Sequence, residues 1–234
     1  YNSENQTFNT TFSAIDVSCE ACHGPGSNHN TYYENPIEGQ IPPPLTMPVG
    51  LNGPELVDAC ARCHARRTQI TPYYDYSGTF FDHYIPTLFD YPTYEQDGQI
   101  KDEVYVYGSF MQSKMYHNGI SSRDCHDVQS LELKKTGNDL CMSCHVPAYN
   151  EFEHHFHEIN TEAAQCISCH MTGDFYMGND FRRDHSFRVP RPDQSLTYGT
   201  PNACNECHTD KDEQWAADFI IENYGPERVD HFSD

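Results

Sequence analysis

Basic side chains are scarce in this 234-residue chain, in which 14 Lys and Arg stand against 35 Asp and Glu, a formal charge of −21. A field of that sign repels phosphate backbones and anionic membranes, which disfavours nucleic-acid binding, and it steers basic partners instead. No apolar run approaches the ~20 residues of a membrane span, and no signal peptide opens the sequence. No repeat of fixed period is present either. Aliphatic carbon is sparse: hydrophobic types reach only 37% of the residues, and much of that share is 16 Tyr and 13 Phe. Flat aromatic rings pack well against flat partners, so a body built around planar groups suits this composition better than a conventional aliphatic core.

What the chain has in quantity is cysteine followed by histidine. Five copies of Cys-x-x-Cys-His occur, at Cys19, Cys22 and His23; Cys60, Cys63 and His64; Cys141, Cys144 and His145; Cys166, Cys169 and His170; and Cys204, Cys207 and His208. This is the signature of covalent haem c attachment. The two thiols add to the haem vinyl groups, and the histidine is held beneath the iron as proximal ligand. Zinc sites pair two knuckles or add a His-x-His element, whereas here the count is odd and every copy ends in histidine. A thioredoxin-like motif would occur once, beside a βαβ pattern. Haem c is attached outside the bacterial or archaeal cytoplasm, so the chain is expected to be periplasmic or extracellular. Its start without Met is expected to mark a processed chain or a fragment.

The eleventh cysteine stands in Ser122-Arg123-Asp124-Cys125-His126, the same motif with serine in the first position. Two readings are open: a sixth haem held by one thioether and His126, or a free Cys-His pair. An unligated thiol is a liability in an oxidising compartment, which favours the haem.

Of the 14 histidines, six follow a motif, counting His126. The others can fill distal positions: His29, His117, His154, His155, His157 and His185 near the motifs, with His83 and His231 better suited to solvent or hydrogen-bonding roles. Enough histidines are present to make every iron six-coordinate. That favours electron transfer over catalysis at an open iron. The six methionines are then packing residues. Cys-x-x-Cys-Lys, a catalytic-haem variant, is absent. Asn5 and Asn9 open two glycosylation sequons.

The motif starts are unevenly spaced, and those at Ser122, Cys141 and Cys166 crowd together, which implies neighbouring haems. Local signals predict a helix from the Asn52-Gly53-Pro54 cap to His64, one from Ser109 to His117, one capped by Thr161 that carries Cys166 and Cys169, and a last one opened by Asp210-x-x-Glu213 and ended by Gly225-Pro226. Val104 to Tyr107 reads as a short strand. The expected fold class is mostly irregular with short α-helices and little β, organised around stacked haems. Residues 1–234 are expected to form one domain: 1–70 with two haem motifs, 71–108 an aromatic-rich wrapping loop, 109–210 a dense haem cluster, and 211–234 a C-terminal helix.

Several stretches carry a resemblance. Val17 to Ser27, Cys60 to Arg67, Asp102 to Phe110, Arg183 to Phe187 and Thr200 to Cys204 together resemble a family of multihaem c-type cytochromes, many with a tetratricopeptide tail. The resemblance implies haem stacking similar to that of octahaem and pentahaem nitrogen-cycle enzymes, longer relatives in both directions, and a complete motif where Ser122 departs. It is compatible with a reductase of nitrite or hydroxylamine at one open haem and with a pure carrier. The histidine supply selects the carrier, with redox proteins bearing basic surfaces as partners and self-assembly into an extracellular filament as an extension.

Overall fold

The computed structural model describes residues 1–12, 17–45, 50–74 and 78–226; Met47, Tyr76 and the distal candidate His231 lie outside the described residues. Two short helices come first, α1 (Cys19–His23) and α2 (Ser27–Glu34), and neither buries a side chain. The next, α3 (Gly53–His64), starts as the sequence predicts. Asn52 Oδ1 accepts from the Glu55 N–H and the Glu55 carboxylate accepts from the Asn52 N–H, both at 3.0 Å, with Pro54 in the first turn. This reciprocal cap satisfies two donors that a helix start otherwise leaves open.

The aromatic-rich segment that follows holds short elements of its own. Strand β1 (Arg67–Gln69) pairs antiparallel with β2 (Tyr84–Pro86), and a single helical turn, α4 (Phe80–His83), leads into β2. Phe80, Tyr84 and Tyr107 close over Val57, Ala61 and Ala65, with Tyr74, Phe110, Met111 and Tyr116 against them. The aromatic density of this stretch therefore serves a polypeptide core seated on α3.

Two local expectations are corrected next. Val104 to Tyr107 is no strand, because Tyr105 adopts a left-handed backbone (φ 61°) that turns the chain, and Tyr107 already opens α5 (Tyr107–Met111). The helix expected over 109–117 is split. Ser113 Oγ accepts from the Tyr116 N–H at 3.1 Å and so caps a new helix, α6 (Lys114–His117), because a serine side chain competes for backbone donors better than it continues a helix. This second piece stops where predicted, at Asn118 and left-handed Gly119. Gly119 also sets a close approach: a Cβ on Gly53 would lie 2.2 Å from its carbonyl oxygen. Only glycine lets the start of α3 meet the chain there, and the contact seats α7 (Ser122–Cys125) beside α3.

The C-terminal half is a run of single turns. These are α8 (Asn138–Cys141), a 3-10 turn Pro147–Asn150, α9 (Phe152–His155), a second 3-10 turn Glu162–Ala164, and α10 (Cys166–His170). Thr161 does not cap the helix that carries Cys166. Its hydroxyl donates back to the Glu158 carbonyl at 2.6 Å, and α10 starts five residues later, where the Cys166 N–H donates to Asn138 Oδ1 at 2.9 Å. A hairpin follows, β3 (Gly173–Tyr176) with β4 (Asp180–Arg183), then α11 (Pro192–Tyr198) and α12 (Ala203–Cys207). The last helix, α13 (Glu213–Tyr224), is capped by Asp212 rather than Asp210, since Asp212 Oδ1 accepts from the Trp215 N–H at 2.8 Å. It packs on α11 and α12, with Ala216 and Ala217 buried. Among the described residues the fold is mostly irregular, with short helices and two two-stranded sheets, as expected for its class.

Candidate functional site

A Cys-x-x-Cys-His segment wound as one helical turn stacks its first cysteine and its histidine on one face, because residues four apart are neighbours on a helix. The motifs lie on α1, the end of α3, α8 with the turn after it, α10 and α12. Their thiols meet across motifs in chain order. Cys22 and Ser122 are both close enough to act on the Cys60 thiol. Cys125 feels Cys141 and Cys144. The Cys141 thiol donates to Cys166 Sγ, which holds Cys141 above the usual thiol value and Cys166 below it. Burial pushes Cys169 up to about 11, with Cys204 and Cys207 adding to the shift.

Histidines are paired as well. The His154 and His170 rings lie 6.3 Å apart, centroid to centroid, and within 14° of parallel, and those of His157 and His208 are 6.0 Å apart. With metal–imidazole bonds of about 2 Å, two rings on opposite sides of one metal ion have centroids about 6 Å apart. His185 lies close enough to feel both His126 and His64, and His170 feels His145. The Tyr149 ring sits 6.1 Å from His145 and 5.0 Å from His154.

Hydrogen bonds decide which ring nitrogen is offered. His170 Nδ1 donates to the Arg188 carbonyl at 2.7 Å, His185 Nδ1 to Arg183 at 2.8 Å, His29 Nδ1 to Pro43 at 3.2 Å, and His157 Nδ1 to the His155 carbonyl. A backbone carbonyl at Nδ1 fixes the tautomer that leaves the Nε2 lone pair for a metal. Burial lowers the pKa of His64, His154, His170 and His185, which keeps these rings neutral and able to coordinate. His117 is turned the other way, with Nε2 at 2.9 Å from the Met111 carbonyl. His83 is buried in the aromatic core, bonded to Thr71 Oγ1 at 3.0 Å and edge-on to Tyr74.

His155 and His157 also lie 6.4 Å apart, but they share one turn, and the His157 N–H donates to His155 Nδ1 at 3.2 Å. His155 Nε2 is buried without a hydrogen-bond partner and lines a cavity of about 180 Å³ with Asn138, Asn150 and Gln165. Adjacent thiols, neutral imidazoles tied at Nδ1 and an orphaned ring nitrogen form a donor set that fits c-type haem. A zinc-type cluster does not form, since among the described residues no three His, Cys, Asp or Glu side chains converge as a metal site.

The arginines beside His185 have structural partners. Arg182 bonds Glu103 and also Asp180 at 2.6 Å, while Arg183 donates to the Met171 carbonyl at 2.9 Å, past the end of α10. Arg188 reaches Gln112 at 3.0 Å. Sequence reasoning missed Asn138, whose amide bonds Cys166, Ala164 and Asn150 and so ties α8 to α10. Its place three residues before Cys141 was the only available signal.

The chain is similar in fold to the outer cell wall cytochrome OcwA, at a TM-score of 0.57 and 16% sequence identity, over 91% of this chain and 58% of that one. It therefore spans little more than half the length of that cytochrome. No protein-family model and no curated protein matches the sequence. No helix among the described residues is long and apolar enough to cross a membrane.

Proposed function

We propose that this chain is an electron carrier that holds five or six c-type haems in a row, most of them between two histidines. The carrying observation is the pair of imidazole couples, His154 with His170 and His157 with His208, each at the separation of two axial ligands and each joining a motif histidine to one from elsewhere in the chain. When bound, a c-type haem supplies a one-electron ferric/ferrous couple. The chain's contribution would be to hold the iron between two of its imidazoles, so that little would rearrange on reduction, and to seat successive motif helices side by side. The nearness of Cys22 to Cys60, Cys125 to Cys141, Cys141 to Cys166 and Cys169 to Cys204 follows that succession.

The site of action is periplasmic or extracellular. The cytochrome of similar fold is described as an outer cell wall protein, and haem c attachment takes place outside the cytoplasm. The charge of −21 selects redox partners with basic docking surfaces. Stacking of copies end to end into a filament extends the same row, supported by exposed aromatics at the N-terminus, Tyr1, Phe8 and Phe12.

Electron paramagnetic resonance of the ferric protein tests the reading. Predominantly low-spin signals are expected. A high-spin haem that binds nitrite or cyanide would instead make the protein a reductase, and zinc in place of iron would end both readings.

A further inference from the structure

Ser122 stands where a haem motif has its first cysteine, and the structure gives that position a counterpart. Its helix, α7, packs against the end of α3, which brings Ser122 beside Cys60, the first cysteine of the preceding motif. Cys141 and Cys166, both first cysteines, are neighbours in the same way where α8 packs on α10. The first positions of consecutive motifs thus meet twice, on α3 with α7 and on α8 with α10.

The backbone repeats the equivalence. The His126 N–H closes onto the Ser122 carbonyl at 2.8 Å, as His145 does onto Cys141 at 3.0 Å and His208 onto Cys204 at 2.9 Å. The turn that presents Cys125 and His126 is therefore the turn that presents a complete motif. His185, its Nδ1 held by the Arg183 carbonyl at 2.8 Å, lies near both His126 and His64.

We infer that Cys125, His126 and His185 hold a haem attached through a single thioether, with one vinyl group retained beside Ser122. The inference rests on the electron-carrier reading. The Cys125 thiol adds across one vinyl double bond: sulfur bonds one carbon, the thiol proton ends on the other, and no oxidation state changes. The Ser122 hydroxyl is too weak a nucleophile to add, so the second vinyl stays conjugated with the macrocycle. This haem then absorbs to the red of the doubly attached ones. The eleventh cysteine is thereby a cofactor anchor, and position 122 is the place at which this one haem is made spectroscopically distinct from its neighbours.

Mass spectrometry of peptides from the full-length, haem-loaded protein provides the test, together with absorption of the reduced pyridine complex. Six haem-bearing peptides are expected, the one with Cys125 among them, together with a red-shifted component in the absorption band. Cys125→Ala should remove that component and lower the count to five. Ser122→Cys should keep six haems and abolish the shift. An unmodified Cys125 peptide beside five haem peptides would overturn the inference and leave the carrier reading standing, whereas no haem on any peptide would end both. His185→Ala should create one high-spin haem, and that signal should vanish when Cys125→Ala is added. Its persistence would assign His185 to His64 and refute its part in this site.

Discussion

Residues 50–118 and residues 119–210 bury their apolar surface in opposite ways. In the first stretch Phe80, Tyr84, Tyr94, Val104 and Tyr107 are all at most 5% exposed. In the second, among the described residues, the buried hydrophobics are Ala164 and Ala203, while Val146, Tyr149, Phe152, Phe175 and Phe181 stay near half exposed or beyond. The first stretch has large rings and one full-length helix to lay them on. The second has mostly single turns, several of which carry the thiols of a motif, and its longest helix, α11, has seven residues, too short for a broad apolar stripe. One chain thus joins a region that folds on its own side chains to a region whose interior the proposed haems would supply.

That contrast can be broken most directly by producing the chain without haem. Hydrogen exchange should then show amides of α3 to α5 protected and those from α7 to α12 exchanging near the rate of an unfolded chain. Equal protection in both regions would erase the distinction.

Next in size, Phe80→Ala in the haem-loaded protein should cost about 3–5 kcal/mol by chemical denaturation, with the low-spin spectra of the C-terminal sites unchanged below the transition. A coupled loss of those spectra would mean that the two regions share one core.

A smaller effect is expected with alkali. Burial raises the phenols of Tyr94 and Tyr107, and Asp184 and Asp58 respectively add to it. Both rings are neutral when folded, so their contribution is complete below the ordinary tyrosine value of about 10 and is lost as pH climbs above it. Absorbance of tyrosinate and circular dichroism should report loosening of residues 50–118 above that pH, before the haem Soret band changes.

The smallest effect separates the regions by their caps. Asn52→Ala should cost about 1 kcal/mol, the ordinary worth of a helix cap. Asn202→Ala, at the start of α12, should cost more, because this buried amide also donates to Ser195 Oγ at 3.0 Å and to Asn205 Oδ1 at 2.9 Å. Equal losses in thermal melts would mean that the tie from α12 to α11 contributes nothing beyond the cap.

The site was more legible in the sequence than the path between sites. Cys-x-x-Cys-His needs one helical turn, and one turn is local, so every motif fell where its spacing put it. The α3 cap was equally local. The breaks were not. Ser113 splits a helix because its hydroxyl captures the Tyr116 N–H, a contest that propensity leaves even. The hairpin over 173–183 was hidden because its turn places Met177 and Gly178 at positive φ, and methionine is a poor advertisement for such a turn. The partner choices of His154, His157 and His185 depend on contacts between turns far apart in sequence, and spacing carries no record of these.

Asn138 has a further consequence. Its one planar amide holds the Cys166 N–H at 2.9 Å, the Ala164 carbonyl at 2.9 Å and Asn150 at 2.7 Å. Two motif helices are therefore tied by three hydrogen bonds through a single side chain. Tunnelling rates fall steeply with separation, so in the proposed carrier this tie would steady the length of one jump. A charge arriving on one side would then change the energy of that jump more than its distance.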